Sequence, residues 1–237
     1  METFKGSVTS AKGFYAASTA AGIKYKDRSD MAMIYSKEPC VCAGTFTTNI
    51  VKAAPVKWDM RIVEESPFVQ AVVVNAGIAN ACTGEEGLAH CWETAQTVSK
   101  IMGIPEEAVL VASTGVIGMQ VPIDKICAGV GQMVPKLSDG KEAGTKAARA
   151  IMTTDTVPKH IAVSFKIDGR TVTIGGMCKG SGMIHPNMCT MLSFLTTDAA
   201  ISKELLTEAL KESVQETYNM VSVDGDTSTN DTVLLMA

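Results

Sequence analysis

The stretch "GGMCKGSGMIHPNMCTMLSF" sets Gly175, Gly176, Gly180, Gly182 and Pro186 ahead of Thr190, and an apolar, hydroxyl-bearing run follows it. A segment rich in Gly and Pro can hold a peptide bond in a strained conformation, and strain of that kind collects at functional sites. A hydroxyl inside a chain has no base of its own. Cleavage of the bond before Thr190 would supply one: the new α-amino group has an unperturbed pKa of about 8, close enough to neutrality to take the hydroxyl proton during attack on an acyl carbon. A lysine, at about 10.4, needs a large shift before it can do the same. On residue types alone, an ordinary glycine-rich turn is the competing reading.

Other clusters carry less chemistry. In Gly175 to Ser181 the lysine, Lys179, precedes the last glycine, whereas a phosphate-binding loop needs its lysine at the helix start to reach the β- and γ-phosphates. "DGDTSTND" (Asp224 to Asp231) alternates oxygen-bearing side chains as a calcium loop does. It has Thr229 where that loop needs glycine, and Leu235 where it needs a bidentate glutamate. His90, His160 and His185 are too dispersed to build a Ser-His-Asp or Cys-His arrangement, and His185 stays a weak candidate because it lies near Thr190. The seven cysteines include no C-x-x-C pair, which suits a reducing compartment. Cys40 and Cys42 read as small buried hydrophobes on a strand, and no metal site is expected.

These residues need elements to hold them. "DMAMIYS" (Asp30 to Ser36) and "CVCAGTFT" (Cys40 to Thr47) read as β-runs joined by a Lys-Glu-Pro turn, and "FVQAVVVNAG" (Phe68 to Gly77) as a buried strand. Gly84 to Met102 has helical spacing, with Leu88, Cys91, Trp92, Ala95 and Val98 on one stripe and Gly103 just past the end. "AVLVAS" (Ala108 to Ser113) is a second buried strand that runs into a turn, "TGVIG", before a helix opened by Pro122. Gly140 to Met152 is helical and ends in the hydroxyl cluster "TTDT". His160 to Gly176 alternates about Asp168-Gly169, a dipeptide suited to a tight hairpin. A strand to about Thr196 follows Thr190, then a helix from Ser202 with Ile201, Leu205, Leu206, Ala209, Leu210 and Val214 on its apolar face. The closing run "TVLLMA" reads as an exposed strand end, so the sequence is expected to be a piece of a longer one. Mixed strands and helices with antiparallel hairpins predict an α+β fold of layered sheets and helices, formed by one domain over residues 1–237.

Composition narrows the partners. With 46% hydrophobic and 19% charged residues the chain is of ordinary globular type. A net charge of −4 gives no electrostatic reason for a nucleic-acid or anionic-membrane partner, so small molecules are the expected ligands. No window holds about 18 uninterrupted apolar residues and no signal segment opens the chain, which predicts a soluble cytoplasmic protein.

"KGSGMIHPNMCTMLSFLTTDA" with "VDGDTSTND" resembles the ornithine acetyltransferase (glutamate N-acetyltransferase) family of arginine biosynthesis. "VTSAKGFYAASTAAGIK", "NAGIANACTG", "ASTGVIG" and "AIMTTDTVPK" extend the likeness over essentially the whole chain. The resemblance implies a layered α-β-β-α sandwich of the N-terminal-nucleophile type and a precursor that cuts itself between Cys189 and Thr190. The products would be an α chain (residues 1–189) and the start of a β chain (residues 190–237), assembled as a heterotetramer of two α and two β chains.

It further implies a ping-pong reaction in which Thr190 takes the acetyl group from N2-acetyl-L-ornithine and passes it to L-glutamate. Thr114 and Gly115 match the family's oxyanion-stabilising pair, and Thr153 and Lys179 match residues that contact substrate, together with Thr190 itself. No resident cofactor is implied, and acetyl-CoA stays open as a second donor. Where the family usually has alanine this chain has Cys189, and the family often has alanine at the position of His185. The family's remaining substrate residues, a glutamate and a C-terminal polar pair, fall beyond Ala237. The competing readings are an aminopeptidase of the same superfamily, in which water resolves the acyl-enzyme, and a non-catalytic calcium- or nucleotide-binding module.

Overall fold

The structure is a computed structural model that describes residues 1–182 and 191–237. Two sheets share one core. The four-stranded sheet has the order β2 (Phe14–Thr19), β3 (Met31–Cys40), β5 (Val69–Ile78), β6 (Val109–Val116). The six-stranded sheet runs β1 (Glu2–Phe4), β7 (Lys159–Ile167), β8 (Arg170–Lys179), β9 (Leu192–Thr197), β10 (Thr232–Met236), β4 (Cys42–Phe46). Val72, Val74 and Ile34 of the first sheet and Met177, Phe194 and Leu234 of the second belong to the same buried cluster. Helices α2 (Gly84–Met102) and α3 (Ile123–Met133) pack against the four-stranded sheet, and α5 (Lys203–Glu216) covers the outer face of the six-stranded one. Helices α1 (Ala54–Glu65) and α4 (Lys141–Ala150) each touch strands of both sheets. This is the expected layered arrangement.

Local sequence explains much of it. Every residue of β5 is buried, in keeping with its continuous apolar run and its central place in the sheet. Asp168 and Gly169 take φ values of 49° and 78°, the two positive angles a type I′ turn requires, and join β7 to β8. Gly103 closes α2 in the left-handed conformation (φ 71°), where the missing Cβ removes the steric cost. Ser202 caps α5 by accepting the Leu205 N–H at 3.3 Å.

Several expectations need correction. Lys37, Glu38 and Pro39 do not form a turn between paired strands; they lie within β3 at a shift of register, and the chain then changes sheets, so β3 and β4 are not partners. β6 continues through Gly115 to Val116, taking in the first three of the residues read as a turn. Trp92 turns outward from α2 and donates its indole N–H to Glu106 at 2.7 Å, while Thr94 takes a buried place on that helix. On α5, Leu205 and Ala209 face solvent, and Leu206, Leu210 and Val214 make the seam.

The run read as an exposed strand end is β10, an interior strand paired parallel to β9 and antiparallel to β4, so it presents no free edge. Cys40 and Cys42 are buried, and burial pushes the Cys40 thiol up to about 12 and raises Cys42 as well, which keeps both as inert apolar groups. Among the described residues no helix is long and apolar enough to cross a membrane.

Candidate active site

The site begins where two parallel strands end. β5 and β6 pair in register through Ala76 with Thr114 and Gly77 with Gly115, and both glycines take positive φ, 115° and 135°. A Cβ on Gly115 would fall 2.2 Å from the carbonyl carbon of Gly77, so glycine is what lets the two strand ends meet. Thr114 is buried just before this bend.

Opposite it, from the other sheet, comes the last residue of β8. Lys179, only 4% exposed, donates from Nζ to Thr114 Oγ1 at 3.0 Å and so ties the two sheets together. A hydroxyl that accepts from a cation is a better donor through its own hydrogen, which can then serve an oxyanion. Burial pulls the Lys179 ammonium below its ordinary value and Lys159 adds to the effect, while the charges of Asp155 and Asp231 oppose it.

Thr153 lies beyond the end of α4, so it is not the helix terminator that a hydroxyl cluster suggests. Asp155 organises this segment: its carboxylate accepts from the Thr153 N–H at 3.4 Å, the Gly180 N–H at 2.9 Å and Lys159 Nζ at 2.5 Å. Burial raises its pKa, but the bonds from Lys159 and Gly180 and the charges of Lys159 and Lys179 outweigh that and hold the carboxyl below its usual range. The "TTDT" cluster is thereby fastened to the end of β8.

Thr114, Gly115, Thr153 and Lys179, drawn from three separate parts of the chain, line one cavity of about 820 Å³. Lys24 and Tyr25 form another wall, on a loop held by buried Asp30, whose two oxygens accept from Ala21 and Ile23 N–H at 2.7 Å each. The segment weighed as a calcium loop is a third wall, contributing Asp224, Asp226 and residues 227–230. Asn230 anchors it by donating to the carbonyls of Ala79 (2.6 Å) and Ser113 (2.9 Å), at the ends of β5 and β6.

Sequence reading missed Asn230. Its signal was the density of hydroxyl and amide side chains in "DGDTSTND", which serves chain fastening as well as ion binding: Thr47 and Asn49 hold the carbonyls of Ser228 and Thr227. Among the described residues no three His, Cys, Asp or Glu side chains are grouped to hold a metal ion. His90 and His160 are away from the cavity, the latter bonded through Nδ1 to the Gly6 carbonyl at 2.7 Å.

Thr190, Cys189 and His185 lie outside the described residues. Gly182 lines the cavity, and Met191 donates its N–H to Asp231 Oδ1 at 2.9 Å and accepts the Thr232 N–H at 3.0 Å.

Comparison with known proteins joins these observations. A family model described as the ArgJ family matches residues 15–237. The arginine biosynthesis bifunctional protein ArgJ 1 of Clostridium acetobutylicum is 54% identical over 97% of this chain, and the ArgJ protein of Symbiobacterium thermophilum is 52% identical over all of it. The chain spans 56% and 59% of the length of those two relatives.

Among solved structures, ArgJ from Bacillus halodurans superposes with a TM-score of 0.73 at 41% identity, covering 81% of this chain and 98% of that one. Ornithine acetyltransferase of Mycobacterium tuberculosis, solved in complex with ornithine, gives 0.73 at 38% identity, covering 81% and 99%. An aminopeptidase from Ochrobactrum anthropi shares the fold at 13% identity and a TM-score of 0.62, covering 100% of this chain and 76% of that one; it was described as a variant of the Ntn hydrolase fold. With the match running from Tyr15 in β2 to the last strand, the chain belongs to the ArgJ family.

Proposed function

We propose that the protein transfers an acetyl group from N2-acetyl-L-ornithine to L-glutamate through an acyl-threonine on Thr190, after cutting its own chain between Cys189 and Thr190. The observation that carries the reading is the Lys179 to Thr114 bond across the two sheets, in a cavity shared with Gly115 and Thr153. In the cut, the Thr190 hydroxyl attacks the Cys189 carbonyl, the peptide nitrogen leaves as the α-amine, and water hydrolyses the resulting ester. The free amine then takes the hydroxyl proton as Oγ attacks the acetyl carbonyl.

The Thr114 hydroxyl and the Gly115 N–H are the proposed donors to the oxyanion, which collapses to release ornithine and leave acetyl-Thr190. The glutamate amine attacks that ester in the second half. Lys179 and Thr153 hold the substrate, and a substrate carboxylate beside the desolvated Lys179 favours its charged form and offsets the effect of burial. The acetyl group travels on the protein itself, so the scheme needs no resident cofactor. The name "bifunctional" carried by the relatives supports acetyl-CoA as a second donor to be assayed.

The working form is proposed as two α and two β chains in the cytoplasm. Intact-mass analysis of the full-length protein is the test: two pieces, the second beginning at Thr190, with Thr190→Ala remaining whole. Acetyl transfer from N2-acetyl-L-ornithine should require glutamate. Ornithine release at an equal rate without glutamate would indicate hydrolysis by water instead.

A further inference from the structure

Asp231 takes no part in the chemistry above, yet it is 0% exposed at the head of β10. Its Oδ1 accepts the Met191 N–H at 2.9 Å, its own carbonyl accepts the Thr47 N–H at 3.0 Å, and the next residue's N–H is bonded to the Met191 carbonyl. The nitrogen of Met191 is bonded covalently to the carbonyl carbon of Thr190, so this one carboxyl grips the first peptide group after residue 190. Among the described residues its second oxygen, Oδ2, has no hydrogen-bond partner. A buried carboxylate with a bare oxygen is costly, and protonation relieves the cost.

We propose that Asp231 is a positioning residue of the acyl-transfer site, orienting Thr190 through the Met191 peptide group. The inference rests on the Thr190 reading above. Burial pushes the Asp231 carboxyl up to about 8, against the Met191 N–H, the nearby Ser228 hydroxyl and the charge of Lys179. Lys179, from β8, is the charged side chain facing it; Thr47 at the end of β4 and Ser228 in the preceding turn are neutral. Below about pH 8 the group is therefore uncharged and grips Met191 without placing a negative charge beside the developing oxyanion. Above that it ionises, and its charge both opposes the oxyanion and favours the protonated, inactive form of the Thr190 amine.

Three variants test this in the full-length protein. Asp231→Asn keeps an acceptor for the Met191 N–H and has no charge at any pH, so cutting and transfer should proceed close to the parent rate. Its kcat should rise with pH as the Thr190 amine deprotonates and then stay level, where the parent falls again above about pH 8. Asp231→Ala should lower kcat at least about tenfold with little change in KM, because misplacement rather than lost binding is the defect. Since Asp231→Ala also removes a buried contact, a readout free of catalysis is added: amide hydrogen exchange at Met191 in the uncut Thr190→Ala background, which Asp231→Ala should accelerate selectively and Asp231→Asn should not.

Equal damage by Asn and Ala, or Met191 exchange indifferent to both, would overturn the role. A parent that neither cuts nor transfers acetyl groups would sink the proposed function and with it the positioning role in acyl transfer, while the exchange result would still decide whether Asp231 holds the Met191 peptide group.

Discussion

Replacing Gly115 by alanine should damage both stability and activity, for one geometric reason. The new Cβ would sit 2.2 Å from the Gly77 carbonyl carbon, 2.3 Å from its oxygen and 2.6 Å from the Ile78 nitrogen. All three are backbone atoms that cannot swing aside, and ordinary carbon contacts are near 3.5–4 Å, so β5 and β6 must part by roughly 1 Å or more at their ends. A non-glycine residue held at φ 135° adds backbone strain of about 1–3 kcal/mol, and overpacking adds about 1–3 kcal/mol more.

A total of roughly 2–6 kcal/mol is a large part of the stability of an ordinary domain. Gly118→Ala is the control, because φ is 79° there but nothing lies within 4 Å of the added carbon, leaving backbone strain of about 1–2 kcal/mol as the expected cost. Urea unfolding followed by far-ultraviolet dichroism measures both. Moving the proposed oxyanion donors should also lower kcat for acetyl transfer by about 10²-fold or more. Unfolding free energies for the two variants within about 0.5 kcal/mol of each other, the usual scatter for harmless changes, would show that the close strand approach does not govern this site.

Asn230→Ala should cost about 2–4 kcal/mol in the same unfolding assay, since it strands the buried Ala79 and Ser113 carbonyls; a loss no larger than that of an exposed asparagine would contradict the anchoring role. Lys179→Ala should still cut before Thr190 but raise KM for N2-acetyl-L-ornithine, and an unchanged KM would remove the carboxylate-anchoring role. Because the Lys179 pKa is lowered in the folded chain, its ammonium is lost at a lower pH than an exposed lysine's. KM should thus climb with pH before the ordinary lysine range near 10.4, and Lys179→Arg should flatten that rise. The stability sign is the reverse. Between the folded and unfolded pKa the unfolded chain binds the extra proton, so the Lys179 contribution to stability rises with pH, which denaturant titrations of parent and Lys179→Met can compare.

What the amino-acid order settled by itself is local. The Asp168-Gly169 hairpin, the bounds of α2 and the continuous run of β5 follow from φ preferences and burial periodicity, which neighbouring residues encode. Tertiary structure alone decided which strands pair. β3 and β4 look like a hairpin but part into different sheets, because register across β3 breaks at Lys37 to Pro39 and the next residues find β10 instead. "TVLLMA" reads as a bare edge until β9 and β4 take up its two sides.

The site follows the same division. Motif likeness singled out Thr114, Gly115, Thr153 and Lys179 one by one, but the contact between Lys179 and Thr114 spans 65 positions and exists only because two sheets stack. The segment Asp224 to Asp231 invited a calcium-loop comparison by its alternate oxygens, since an oxygen-bearing side chain has the same letter whether it binds a cation or a backbone amide. Which partner it meets is set by the strand ends that packing brings to it.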